Sequence, residues 1–251
     1  MLEAPHILLL AGTTEARLLA TKLQNRLPDI LLTLSFAGAV KNLPSLAKRQ
    51  RVGGFGGAEG LARYLEEEHV DLLIDATHPF AAQISSNALM ATTKAQIPLL
   101  RLERAEWKPQ PGDLWTEVET LRSAKDLLPA GCRAFLAIGR QELGIFAERI
   151  DLWALARMIE PPADGLLPPE WKVLLAPPAR SADEEIALMR TEAITHLVTK
   201  NSGGTRSAAK LEAARRLHLP VVMVRRPHLQ EAPTCNSVDE ALAFIEEQFS
   251  R

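Results

Sequence analysis

Ile7-Leu8-Leu9-Leu10, followed at once by Ala11-Gly12-Thr13-Thr14-Glu15-Ala16-Arg17, decides how this chain folds. A short apolar run reads as a buried parallel strand, and the small residues after it turn the chain into a helix. The first-turn N–H groups of a helix have no intrahelical partners, and the helix dipole favours negative charge beside them. Phosphate is the usual guest at such a turn in open α/β sheets, so the stretch points to a nucleotide. The same residues also fit a plain helix cap after a buried strand, with no ligand.

The same rhythm continues outward from that stretch. Leu18, Leu19, Leu23 and Leu27 recur at helical spacing and predict a helix over 15–27, with a strand over 30–36. A short 50–52 segment leads through Gly53-Gly54-Phe55-Gly56-Gly57 into a helix ending at 68. Residues 72–76 read as a strand, and Pro79 suits the first turn of a helix running to about 95. A strand over 98–102 closes the unit, and Lys-Pro-Gln-Pro-Gly-Asp at 108–113 breaks the pattern. Beyond it, strands are expected at 133–138, 152–156, 196–199 and 220–224, with a short apolar segment at 173–176 and helices at 141–148, 181–192 and 206–217. Ser181 with Glu184, and Ser237 with Glu240, have capping-box spacing. Such alternation implies parallel sheets with right-handed crossovers. The expected architecture is α/β: two doubly wound Rossmann-like parallel-sheet lobes, residues 1–105 and 106–251, with a ligand cleft between them.

A formal net charge of −2 over 251 residues gives no basic field for nucleic acid, so anion binding must rest on local Arg and Lys. Cys132 and Cys235 form no Cys/His cluster, which argues against a metal site and for a reducing compartment. No apolar run approaches the ~20 residues that span a bilayer, and the first residues lack a secretion-signal pattern. A cytoplasmic location without membrane attachment is expected.

Several constellations could carry chemistry. Gly12-Thr13-Thr14-Glu15 has one glycine where a dinucleotide fingerprint has three, and the Thr13 and Thr14 hydroxyls could substitute as donors. The glycine loop fails the fingerprint at Glu59 and fits a cofactor contact and a plain flexible turn equally well. Within Asp75-Ala76-Thr77-His78-Pro79-Phe80, His78 could exchange a proton near neutral pH or merely cap a helix. Thr77 is the safer ligand candidate. Arg101, Arg104, Arg140, Arg157, Lys200, Arg225 and Arg226 recur at or just beyond expected strand ends, where guanidinium groups suit carboxylates or phosphates. They would serve equally as surface charges paired with Glu103, Glu106 or Glu142. Lys200-Asn201-Ser202-Gly203-Gly204-Thr205 adds side-chain donors and a permissive glycine pair at a strand-to-helix turn. Tyr64 is the only tyrosine and position 68 is Glu, so the Tyr-x-x-x-Lys pair of short-chain dehydrogenases is missing. There is no nucleophile elbow and no P-loop.

Leu-Ala-Gly-Thr-Thr-Glu-Ala-Arg (10–17), Gly-Gly-Phe-Gly-Gly (53–57), Asp-Ala-Thr-His-Pro-Phe-Ala (75–81), Arg-Leu-Glu-Arg (101–104) and Thr-Lys-Asn-Ser-Gly-Gly (199–204) occur in order. Together they span most of the chain, and the set resembles the precorrin-6A reductases of cobalamin biosynthesis. The resemblance implies an NADPH-dependent oxidoreductase that reduces one carbon–carbon double bond of a cyclic tetrapyrrole, giving precorrin-6B. It implies that 1–105 binds NADPH and that 106–251 contributes to the polycarboxylate tetrapyrrole site. Gly12, Thr13, Thr14, Glu15, Ala16 and Arg17 would then hold the pyrophosphate. Ser35 and Lys41 are the candidates for the 2′-phosphate, because no acidic residue lies between them to favour NAD. Gly53, Gly54, Phe55, Gly56 and Gly57, with Thr77 and Pro79, would flank the adenosine and nicotinamide ends. Arg101, Arg104, Arg140, Lys200, Asn201, Ser202, Gly203 and Gly204 become carboxylate contacts. His78 is the candidate catalytic acid, with solvent as the rival proton source, and no metal is implied. Two other readings stay open: a reductase of another anionic substrate, and a nucleotide-binding sensor without catalysis. A methyltransferase of the same pathway would bind S-adenosylmethionine in place of NADPH.

Overall fold

A computed structural model describes residues 4–36, 38, 47, 49–162 and 165–249. The chain divides into two units, Met1–Ala105 with Pro227–Arg251, and Glu106–Arg226.

The first unit is built on β1 (His6–Ala11), β2 (Leu31–Phe36), β3 (Arg49–Val52), β4 (Leu72–Ala76), β5 (Leu99–Leu102) and, from the far end of the chain, β12 (Thr234–Cys235). All pair in parallel, in the order β12-β5-β4-β1-β2-β3. Both faces of β1 are covered, which explains its unbroken apolar run. Ile7, Leu9 and Ala11 join the core cluster that holds residues of α1 (Thr14–Arg26) and α8 (Val238–Phe249). Leu8 and Leu10 join the cluster that holds residues of α2 (Gly57–Glu67) and α3 (Ala82–Ala95).

The second unit repeats the plan with β6 (Trp115–Val118), β7 (Arg133–Ala137), β8 (Trp153–Met158), β9 (Lys172–Leu175), β10 (His196–Lys200) and β11 (Val221–Val224). These strands are also parallel, ordered β6-β11-β10-β7-β8-β9. Its helices are α4 (Leu121–Leu127), α5 (Gly144–Ala147), α6 (Ala182–Thr191) and α7 (Ala209–Arg216). Each sheet thus has five strands in the doubly wound order 3-2-1-4-5 plus a sixth at the edge, with a switch point beside its first strand. That point lies between β1 and β4 in one unit and between β7 and β10 in the other.

The expected α/β class with two parallel-sheet lobes is what the structure has. The sixth strands are where the sequence reading departs from it. Residues 227–251, grouped with the second lobe from sequence, return to the first, where β12 extends β5 and α8 packs on α1. The elements β6 and α4, unrecognised in the sequence, complete the second sheet beside β11. The helix expected to start at Pro79 begins at Ala82, because Ala81 N–H bonds to His78 O (2.7 Å) and closes a tight turn first. The helix expected over 206–217 is Ala209–Arg216.

Both expected serine caps form, with Glu184 N–H donating to Ser181 Oγ and Glu240 N–H to Ser237 Oγ, each at 3.2 Å. The two glutamates accept the N–H groups one residue before the serines, from Arg180 and Asn236. Among the described residues no helix is long and apolar enough to cross a membrane, and no group of three His, Cys, Asp or Glu could hold a metal ion. Cys132 and Cys235 are free and buried, and burial pushes the Cys235 thiol up to about 11, which keeps it protonated and unreactive at neutral pH.

Candidate functional site

At the switch point of the first sheet, the turns after β1 and β4 lie against each other. A Cβ built on Gly12 would meet Thr77 Cα and His78 N at 3.8 Å, so the two backbones run side by side. Thr13 ties them together. Its hydroxyl donates to Ala76 O (2.8 Å) and accepts from Ala16 N–H (3.1 Å), capping α1. The Thr13 hydroxyl is therefore committed to the fold, contrary to its expected use as a ligand donor, and its main chain is what the turn can offer. Gly12, Thr14 and Arg17 are exposed, Ala16 is buried, and half-buried Glu15 pairs with Arg104 Nη1 at 2.8 Å. That pair brings Arg104 to the first turn of α1.

One residue back from the strand ends, polar side chains line up across the sheet. Arg51 of β3 is in register with Ser35 of β2, Ser35 with Leu10, Leu10 with Asp75, and Asp75 with Arg101 of β5. Asp75 Oδ1 accepts both the N–H (3.1 Å) and the hydroxyl (2.7 Å) of Thr77, which shapes the turn and uses the Thr77 hydroxyl. Its Oδ2 lies 3.9 Å from Arg101 Nε, and both atoms are buried with no hydrogen-bond partner among the described residues. Arg101 is 7% exposed and donates to Gln230 O. The register that places it opposite Asp75 turns it into the sheet, so this expected carboxylate contact is a support beneath the turn. His78 Nδ1 accepts Phe80 N–H (3.2 Å), which assigns the neutral ring's proton to Nε2. Pro79 is buried behind it.

At the other side, Gly53, Gly56 and Gly57 have φ of 107°, 80° and 85°, and the middle one is the N-cap of α2. A cavity of about 400 Å³ lies between this loop and the start of α3, lined by Gly54, Phe55, Phe80 and Gln83 among others. Phe55 stands edge-on to Tyr64, whose hydroxyl pKa is raised by burial and Glu68 against the opposing charges of Arg51 and Arg49. Ser35 is buried at the end of β2, while Lys41 lies outside the described residues.

In the second unit Lys200, the last residue of β10, pairs with Glu142 in the one-turn 3-10 segment after β7. Arg140, in the same segment, is exposed and pairs with Glu160 at 2.8 Å. Asn201 is buried and clamps Trp107: its Oδ1 accepts the Trp107 N–H (2.9 Å) and its Nδ2 donates to Trp107 O (3.0 Å). The indole N–H then donates to Gly204 O (2.7 Å), and Gly203 and Gly204 take φ of 68° and 76°. The turn follows β10, beside the second switch point, and Asn201 is spent on holding it.

The family described as Precorrin-6x reductase CbiJ/CobK matches residues 6–246. The chain belongs to the precorrin-6x reductase family. Precorrin-6A reductase of Rhodococcus erythropolis is 47% identical over 242 residues, covering 96% of this chain and 97% of that protein. A Sinorhizobium sp precorrin-6A reductase is 42% identical over 247 residues, with 97% and 94% covered. The solved structure of CobK precorrin-6A reductase superposes with a TM-score of 0.89 at 39% identity, covering 98% of both chains.

Within this precorrin-6x reductase family member, sequence reading missed Arg51, Asp75, Gly60 and Trp107 as parts of the candidate sites. Asp75 lay inside a quoted motif but received no role. The signal for Arg51 was a cation two residues before the glycine loop, with no Asp or Glu anywhere from 37 to 48. Gly60 lies in α2 beside that loop, where a Cβ would fall 1.8 Å from Phe55 O.

Proposed function

We propose that this chain is an NADPH-dependent precorrin-6A reductase that converts precorrin-6A to precorrin-6B. The observation that carries the reading is the family match along nearly the whole chain, from 6 to 246. The first unit fits a dinucleotide: Gly12 and Thr14 are exposed at the opening of a 13-residue helix, where anions are favoured. Main-chain N–H groups from Gly12 to Arg17 would hold the pyrophosphate, and Arg104 offsets the Glu15 charge beside it. Ser35 and Lys41 would face the 2′-phosphate, the 53–57 loop the adenosine, and Thr77, His78 and Pro79 the nicotinamide end. Arg140, Lys200, Ser202 and the Gly203–Gly204 backbone would take substrate carboxylates, with Asn201 positioning the turn and Arg101 supporting the first unit's turn.

A bound NADPH supplies the hydride that reduces one carbon of the double bond. The protein's part is to orient the ring and to let a proton reach the neighbouring carbon. His78, with Nδ1 held by Phe80 N–H, carries its proton at Nε2 and would present it as a donor, with solvent restoring it.

Anaerobic mixing with precorrin-6A and NADPH tests the reading. Equimolar loss of NADPH absorbance and of the precorrin-6A spectrum is expected. Binding of NADPH by folded protein with no consumption would overturn it.

A further inference from the structure

Resting on the dinucleotide reading of the first unit, we infer that Arg51 is the residue that selects a 2′-phosphorylated cofactor. Arg51 is held in place by neutral groups alone. Nη1 donates to Ser35 Oγ (3.1 Å) and Gly53 O (3.0 Å), and Nη2 donates to Gly54 O (3.1 Å). Its guanidinium lies 3.6 Å from the centroid of the Phe55 ring and 5.2 Å from that of Tyr64. Of the five guanidinium N–H donors, the Nε–H and one Nη2–H keep no acceptor among the described residues.

No carboxylate among the described residues forms a salt bridge with it, and the segment from 37 to 48, between the two strands, contains no Asp or Glu. Neighbouring Arg49 shows the contrast, since it is paired with Glu68 at 3.1 Å. A half-buried cation held by three hydrogen bonds and two aromatic rings, with no counter-ion among the described residues, is a built anion site. It stands at the carboxyl ends of β2 and β3, on the side of the switch point where a doubly wound sheet receives the adenosine ribose. The anion that belongs beside that ribose is a 2′-phosphate. Ser35 supports the arm by accepting from Nη1, and the glycine loop supports it with two carbonyls.

The test is calorimetric binding of NADP⁺ and NAD⁺ to the whole protein, wild type and two variants. Wild type is expected to prefer NADP⁺. Arg51→Ala should weaken NADP⁺ by about 10- to 100-fold, the range for losing charge-assisted hydrogen bonds, and change NAD⁺ little. Arg51→Lys should recover part of the preference. If Arg51→Ala weakens both ligands in parallel and leaves their ratio intact, Arg51 only braces the loop and the inference is overturned. If wild type binds neither dinucleotide, the cofactor reading itself falls, and this inference with it.

Discussion

One hydroxyl at Thr13 serves two backbone groups, capping α1 through Ala16 N–H and joining the β1 and β4 turns through Ala76 O. Thr13→Val keeps the shape and removes both bonds, leaving a donor and an acceptor unmet. It should cost about 1–3 kcal/mol of the first unit's stability, read as an earlier urea transition. An unchanged transition would mean that water replaces the hydroxyl at both places. The turn around Gly12 was legible in the sequence because apolar run, small residues and helix start are all local signals. Arg101 and Arg51 were not. Both are basic residues near strand ends, yet register pairs one with buried Asp75 and leaves the other bonded to Ser35 and to the carbonyls of Gly53 and Gly54. Strand register is a non-local property that periodicity does not carry.

At the scale of elements, the glycine loop depends on a glycine outside its own run. Gly60 brings α2 close enough to Phe55 that a methyl group would overlap the carbonyl backbone. Gly60→Ala should therefore push the loop outward at about 1–3 kcal/mol, lowering the thermal midpoint and weakening dinucleotide binding together. Wild-type melting and affinity would show that the loop relaxes freely. Strand and helix positions were largely readable, since buried parallel strands are apolar runs and the Ser181 and Ser237 caps have fixed spacing. The start of α3 was misread because Pro79 tolerates a turn as well as a helix, and the His78–Ala81 bond chose the turn. The strand β6 carries Thr116 and Glu117, both exposed, and gave no apolar run to recognise.

At the scale of the whole molecule, each half of the sequence runs through five strands and then a strand–helix pair. The pair from the first half, β6 with α4, completes the second sheet, and the pair from the second half, β12 with α8, completes the first. The equivalence extends to packing: α8 lies on α1 as α4 lies on α5. Sequence showed both parallel-sheet lobes but left 227–251 with the second one, because no local pattern records the return of the chain to the first sheet. The first unit is thereby finished by the far end of the chain, whereas the second is the single stretch Glu106–Arg226. The proposed reaction passes a hydride from nicotinamide to the tetrapyrrole. Turnover with NADPH deuterated at either face of nicotinamide C4 tests that claim most directly. One of the two labelled cofactors should pass a deuterium to the product, adding one mass unit to the reduced tetrapyrrole. A reduced product without deuterium from either cofactor would contradict it.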